Sequence, residues 1–176
     1  MIDTISLRAL EPEDVDLMYQ CDNDEEARIW TDYSAPLSRA QLMDYALNYD
    51  ADPFKAGQLR LIAEKEKDEG GKIPAGIVDL YNISQKDGKA YIGIYVLPEF
   101  RRQGTGSNIL KVTEDYVNRF LGLRMLVAKV STQNGIAISL FKKAGYSQLA
   151  LLPGWHRLGP AYHDIILFTR ILNSNS

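Results

Sequence analysis

The strongest constraint on the fold is one stretch, IGIYVLPEFRRQGTGSNIL, in which a strand, a glycine-rich turn and a helix follow one another directly. Its first part is rich in β-branched and aromatic residues, which favour a strand, and Pro98 ends that run. Gly104 and Gly106 lack a Cβ atom, so the backbone can turn sharply there and bring several N–H groups close to a ligand. Because those N–H groups open the next helix, its positive dipole end would also attract an anion. The stretch predicts either a plain turn or a phosphate cradle, for which the neighbouring side-chain donors would be Arg101, Arg102 and Gln103.

Two common nucleotide-binding loops do not fit this turn. A Rossmann loop needs a third glycine, and Ile109 stands at that position. The following strand ends in Val130-Ser131-Thr132, with no acidic residue to hold a ribose. The only other candidate phosphate loop, GGKIP, has neither the spacing nor the hydroxyl of a P-loop. A dinucleotide-binding oxidoreductase is therefore disfavoured.

The hydrophobic pattern over the whole chain predicts one mixed α/β domain, residues 1–172, with a polar and disordered tail at 173–176. The predicted order is strand, two helices, three strands, helix, strand, helix and two strands. Residues 22–36 are predicted to be acidic and irregular, with Trp30 and Tyr33 as anchors, and residues 153–162 to form a loop between the last two strands. The predicted strands are 4–10, 58–66, 74–84, 90–98, 124–132, 146–152 and 163–172.

Charge and cysteine content exclude several classes of function. The net charge is −3, from 20 basic and 23 acidic residues, so no general attraction to nucleic acid or to anionic membranes is expected. The first thirty residues contain no apolar signal-peptide core. The single cysteine, Cys21, allows no internal disulfide and suits the cytoplasm, and the acids around it should raise its thiol pKa. His156 and His163 have no partners at metal-ligand spacing, so no metal site is expected.

A second motif, NGIAISLFKKAGY, follows the next strand and favours the phosphate cradle over the plain turn. Together, the two motifs at this spacing resemble the GCN5-related N-acetyltransferase (GNAT) superfamily, over the whole chain. The segments AGIVDLYNI, AYIGIYVLPEFRRQGTGS and DNDEEARIW are most similar to its ribosomal-protein N-terminal and spermidine acetyltransferase branch. The resemblance implies a mixed, mostly antiparallel sheet of about seven strands, splayed at its centre, with helices on both faces. It also implies acetyl-CoA as the cosubstrate.

The resemblance assigns the cosubstrate to the strand, the turn and the Asn-capped helix. Backbone groups of the strand would bind pantetheine, and one N–H would polarise the thioester carbonyl as an oxyanion donor. The residues implied to contact acetyl-CoA are Ile94, Tyr95, Val96, Arg101, Arg102, Gln103, Gly104, Thr105, Gly106, Ser107, Asn134 and Phe141.

The resemblance implies direct attack of an amine on the thioester, which requires a base and some means of quenching the thiolate. Our preferred base is Asp79, in the middle of a strand, and the second candidate is Glu99. Many family members have a tyrosine where this chain has Phe141, and phenylalanine cannot donate a proton. Either Ser139, Tyr146 or water donates instead, or the thiolate leaves unassisted, or transfer is impaired.

The acceptor is the part that the sequence specifies least. An acidic stretch between the first two helices could attract a cationic amine, either a small polyamine-like molecule or a protein N-terminus. Trp155 and His156 could form a wall or gate beside it, and a homodimer is one assembly that the resemblance allows. The alternative from another class is a regulatory or degenerate CoA-binding module, because of Phe141. The acidic residues of the stretch are Asp22, Asp24, Glu25, Glu26 and Asp32.

Overall fold

The computed structural model describes residues 4–31 and 35–172 and contains a seven-stranded sheet. The strand order is β1-β2-β3-β4-β5-β7-β6, and every neighbouring pair is antiparallel except β4 and β5, which run parallel. The predicted mixed, mostly antiparallel sheet is confirmed. The strands are β1 Ile5–Ala9, β2 Gln58–Glu66, β3 Lys72–Ser84, β4 Lys89–Val96, β5 Met125–Ser131, β6 Ser147–Leu158 and β7 Ala161–Ile171.

Helices cover both faces of the sheet, because strand side chains alternate between two apolar cores. Val78 and Leu80 of β3 pack in the core beneath α5 and α6, whereas Ile77 belongs to the core beneath α1 and α3. No helix in the described residues is long and apolar enough to cross a membrane. The helices are α1 Val15–Asp22, α2 Glu25–Arg28, α3 Arg39–Asn48, α4 Pro53–Ala56, α5 Thr105–Arg119 and α6 Gly135–Lys143, with 3₁₀ turns at Pro12–Asp14 and Pro98–Phe100.

The helix after the glycine turn shows how sequence pattern becomes packing. Ile109, Leu110 and Val117 recur at helical spacing and are fully buried against the sheet. Phe120, three residues after Val117, is 71% exposed. Phe120 is the C-cap residue of α5, and its ring lies beside that of Tyr116, with the ring centres 5.5 Å apart.

The acidic segment predicted to be irregular contains a helical turn, α2. Asp24 makes this possible, because its carboxylate accepts hydrogen bonds from two backbone N–H groups at the start of α2. Trp30, predicted as an anchor, is half-buried just after this turn. The expectations placed on Asp32 and Tyr33 fall outside the described residues.

The prediction of a loop at residues 153–162 is wrong. Most of this segment is strand and forms the far half of a long hairpin. β6 continues to Leu158, β7 begins at Ala161, and His156 pairs with His163 across the hairpin. A shift of register between Leu152 and His156 lets the strand continue past Pro153 and Gly154.

β4 and β5 separate after a short parallel contact. Their paired residues run from Lys89 with Met125 to Tyr91 with Val127, and the ladder between the described strands stops there. The remainder of β4 therefore borders an opening in the sheet, called the cleft below. Its existence confirms the predicted splay at the centre of the sheet.

Candidate active site

The edge of β4 that borders the cleft offers polar backbone groups from alternate residues. The N–H of Leu97 donates to the carbonyl of Ala75 on the β3 side at 2.9 Å. The C=O of Val96 shares a peptide group with the N–H of Leu97, so it points the opposite way, towards the cleft. The backbone N–H and C=O of Ile94, two residues earlier, point towards the cleft as well. The backbone of Tyr95 points to β3 instead. Of the three predicted pantetheine contacts on β4, Ile94 and Val96 remain suitable, whereas Tyr95 would have to contribute its side chain.

The glycine turn lies at the end of the cleft and opens α5. Gly104 occupies the N-cap position of α5 with a φ of 85°, a left-handed conformation that favours glycine. Arg102 also has a positive φ, 62°, and its side chain is exposed. A Cβ atom on Gly106 would point at Leu140 and Val96, at 3.4 and 3.6 Å, so this glycine faces the space between β4 and α6. The turn therefore directs the start of α5 at the cleft, as a cradle for an anion requires.

Two of the predicted phosphate donors are already engaged inside the protein. The Arg101 Nε donates to the carbonyl of Val96 at 2.9 Å, and its Nη2 donates to Asp24 at 3.3 Å. The Gln103 amide donates to the carbonyl of Glu99 at 2.8 Å, which closes the turn. The guanidinium of Arg101 thus holds α2 and β4 together, and of the predicted side-chain donors it is Arg102 that is oriented to solvent beside the turn.

Asp24 connects α2 to the strand that borders the cleft. The hydroxyl of Tyr95 donates to its Oδ2 at 2.5 Å, beside the contact from Arg101. Burial acts to raise the pKa of Asp24, but the hydrogen bonds from Tyr95, from the α2 backbone and from Arg101 outweigh it and lower the pKa. Burial and the same hydrogen bond raise the pKa of Tyr95. A charged carboxylate therefore fixes α2 beside β4.

Asp79 lies on the face of the sheet covered by α1 and α3, and it is one member of a buried ion triad. Arg60 on β2 donates to both oxygens of Asp79, at 2.7 and 3.0 Å, and to both oxygens of Asp22, at 2.7 and 3.2 Å. Burial opposes the charge of Arg60, but the two carboxylates outweigh it and raise its pKa. The Asp79 side chain remains 41% exposed, so one carboxylate of the triad reaches solvent.

Gly93 leaves open space next to Asp79. The two residues are directly paired between β3 and β4, and a Cβ on Gly93 would meet no atom within 4 Å. Glu99, the second candidate base, is exposed in the turn beyond the end of β4. Asp79 is therefore the candidate that faces an open site within the sheet.

Cys21 and the two histidines do not form a nucleophilic or metal centre. Burial, and next the charge of Asp22, raise the pKa of the Cys21 thiol to about 12, in the direction predicted from the sequence. The Nε2 of His156 lies 2.8 Å from the carbonyl oxygen of Ile29, which joins the β6–β7 hairpin to the end of α2. Trp155 beside it is 62% exposed. Within residues 4–31 and 35–172 no group of three or more potential ligands could hold a metal ion.

Residues 4–147, most of the chain, match the family described as an acetyltransferase (GNAT) domain. The chain belongs to this acetyltransferase family. The family and fold predicted from the two motifs are thereby confirmed, and with them acetyl-CoA as the cosubstrate.

Individual relatives in the GNAT family agree with this assignment. The spermidine N(1)-acetyltransferase of Escherichia coli K12 is 28% identical over 147 residues, which cover 82% of this chain and 73% of that protein. The fold is similar to that of spermidine N-acetyltransferase from Vibrio cholerae in complex with CoA and spermine, with a TM-score of 0.83, 19% identity and coverage of 97% and 96% of the two chains. A dodecameric structure of the Vibrio cholerae enzyme gives a TM-score of 0.78 at 21% identity, covering 96% and 94%.

The GNAT motif on α6 is present, but its aromatic residue lies in the core. Phe141 is buried, with its ring centre 5.0 Å from that of Tyr146 and 6.3 Å from that of Phe168. The hydroxyl of Tyr146 is fully buried, and burial and the nearby Glu114 raise its pKa. The Phe141 ring therefore packs in the core, its cosubstrate contact stays a prediction, and the buried Tyr146 hydroxyl is not placed to protonate a thiolate in the cleft.

Three further predicted residues lie around the GNAT cleft. Asn134 caps α6, with its Oδ1 accepting from the N–H of Ala137 at 3.0 Å. Ser107 is exposed on the first turn of α5, whereas Thr105 is buried and its Oγ1 has no hydrogen-bond partner among the described residues. No sequence motif indicates Arg60, because a strand arginine is identified as part of a site only when its partners in the fold are known.

Proposed function

We propose that this acetyltransferase moves the acetyl group of acetyl-CoA directly to a primary amine of a polyamine or a similar small polycation. The observation that carries the proposal is the solvent-facing carboxylate of Asp79, set beside Gly93 on the strand that borders the cleft. The acceptor class is supported by the relatives described as spermidine acetyltransferases.

The cosubstrate would be held by backbone groups more than by side chains. The N–H groups of the turn at Gly104–Gly106 and the positive end of α5 suit a pyrophosphate. The cleft-facing groups of Ile94 and Val96 suit the amides of pantetheine, and an N–H on this edge suits the thioester oxygen. When bound, acetyl-CoA supplies an activated acetyl group whose thiol is a fair leaving group.

Asp79 would remove the proton that makes the acceptor an ammonium ion. A free alkylamine is mostly protonated at neutral pH, with a pKa of ~10, so it must lose a proton before it attacks. Arg60 binds both oxygens of Asp79 and fixes their orientation, and the exposed lone pairs can accept the proton directly or through water. Two carboxylates around one guanidinium give the triad a net negative charge, which favours a cationic acceptor.

A second acceptor, a peptide N-terminus, is favoured by a different feature. A cavity of about 390 Å³ lies between α2 and the β6–β7 hairpin, and its lining includes the carboxylate of Glu25 and three possible donors, Arg28, His156 and Arg157. These donors suit the carbonyl and carboxylate groups of a peptide better than a polycation.

Release of CoA thiol with a panel of acceptors tests the proposal. We expect turnover with spermidine and spermine and much weaker turnover with short peptides that have a free N-terminus, with mass spectrometry locating the acetyl group. Efficient turnover confined to peptides would replace the polyamine with the peptide acceptor. Tight binding of acetyl-CoA without thiol release from any amine would instead support the degenerate-module alternative suggested by Phe141.

We also propose that residues 1–172 act as one domain in the cytoplasm and assemble as a homodimer or a larger oligomer. The buried free thiol of Cys21 suits a reducing compartment. Exposed Leu149, Leu151 and Trp155 on the edge strand β6 suit an interface between copies.

A further inference from the structure

Lys129 places a positive charge on the face of the sheet that carries Asp79. It lies on β5, two residues beyond the last paired residue, Val127, and hence where β5 starts to separate from β4. Its neighbours Ala128 and Val130 are buried in the opposite core, beneath α5 and α6, so the Lys129 side chain projects from the α1–α3 face.

The Lys129 side chain reaches across β4. Its Nζ lies 5.9 Å from the ring centre of Tyr81 on β3, and β4 separates these two strands in the sheet. Tyr81 and Tyr91 have their ring centres 5.5 Å apart, and Gly93 next along β4 has no side chain. The ammonium group therefore lies near the Tyr81–Tyr91 ring pair, which is two residues along β3 and β4 from the Asp79–Gly93 pair.

The other candidates for quenching the thiolate are poorly placed. Phe141 has no hydroxyl, and the hydroxyl of Tyr146 is buried beneath α5. Ser139 is exposed on α6. A lysine ammonium carries three donor hydrogens and a full positive charge at neutral pH, which suits it to stabilise a thiolate.

We propose that Lys129 stabilises and protonates the CoA thiolate that leaves when the amine attacks, a role that rests on the proposed acetyl transfer. The bond from the acceptor nitrogen to the carbonyl carbon forms, the carbon–sulfur bond breaks, and its electron pair goes to sulfur. A proton then moves from Nζ to sulfur and gives CoA thiol. Lys129 regains a proton from solvent, and the proton lost by the acceptor ammonium leaves through Asp79.

Other charged groups on this face set the field around Lys129. The triad contributes one net negative charge on the β3 side of Gly93, and His163 lies further along β7 on the same face by strand alternation. The groups to be considered in any titration are Arg60, Asp79, Asp22, Tyr81, Tyr91 and His163.

Titration of the thiol of bound CoA tests the role of Lys129 without any turnover. Ultraviolet absorbance of the thiolate is followed against pH with CoA bound to the wild type, Lys129→Met, Lys129→Arg and the control Lys67→Met in the exposed β2–β3 turn. We expect the wild type to lower the thiol pKa by at least about one unit relative to free CoA, Lys129→Met to lose the shift, and Lys129→Arg and Lys67→Met to keep it. An equal shift in wild type and Lys129→Met would overturn the proposal.

The kinetics separate this inference from the proposed function. Lys129→Met should lower kcat with the preferred amine on the order of 10²-fold with little change in the KM for acetyl-CoA. Turnover that is unaffected by Lys129→Met would overturn the thiolate role and leave the acetyl transfer intact. A lysine-dependent thiol shift in a protein that acetylates no amine would support the Lys129 site and refute the proposed function.

Discussion

Arg60 holds two carboxylates inside the protein, and 8% of its side chain is exposed. Replacing it by Met would leave Asp22, which is 9% exposed, as a buried charge without its partner. We expect Arg60→Met to destabilise the protein by about 3–5 kcal/mol, because an uncompensated buried charge is far less favourable than a broken surface pair. The free energy of unfolding in urea measures the loss.

A surface arginine supplies the matched control for this prediction. Arg39 forms a pair with Asp16 in which both side chains are more than half exposed, so Arg39→Met should lower stability far less than Arg60→Met. Removing the buried charge as well, in Arg60→Met with Asp22→Asn, should restore part of the stability. Equal losses for the two arginine variants would contradict a stabilising role for the triad.

At the scale of elements, substitutions at two glycines can separate the effect of backbone strain on stability from an effect on acetyl-CoA binding. Gly104 and Gly57 both have a positive φ, 85° and 70°, and a Cβ on either would meet no atom within 4 Å. Aspartate at each position should therefore lower stability by a similar ~1–2 kcal/mol. We expect Gly104→Asp alone to weaken acetyl-CoA binding, by more than about tenfold, because its carboxylate would lie in the anion cradle. Calorimetric titration with acetyl-CoA measures the Kd of each variant. An unchanged Kd in Gly104→Asp would refute the assignment of this turn as the anion cradle.

The elements differ in how far their sequence predicts them. The order of strands and main helices follows from local periodicity, and the cofactor turn follows from a motif of adjacent residues. The second half of the β6–β7 hairpin was missed because Pro153 and Gly154 mimic a loop, whereas cross-strand pairing overrides them. Arg60 and Lys129 were missed for a related reason. Each occupies an ordinary strand position. Arg60 depends on Asp79 of the neighbouring strand and on Asp22 of α1, and Lys129 lies near Tyr81 two strands away.

At the scale of the whole molecule, the last strand of the sheet leaves an apolar edge. β6 pairs with β7 on one side, and on it Leu149 is 65% exposed and Leu151 48%. A long edge strand with apolar side chains tends to associate unless another surface covers it. Assembly through β6 would cover this edge, as the proposed oligomer requires.

Charge on this edge should therefore break the assembly without unfolding the chain. We expect the wild type to show a mass of at least two chains by light scattering during size-exclusion chromatography, and Leu149→Glu with Leu151→Glu to show the mass of one. Leu47, 62% exposed on α3, provides the control, since Leu47→Glu adds charge to a different surface and should leave the mass unchanged. A monomeric wild type would contradict an interface at β6, because no second copy would then cover the apolar edge. An equal effect of Leu47→Glu would contradict it as well, because the mass would then depend on added charge and not on its position.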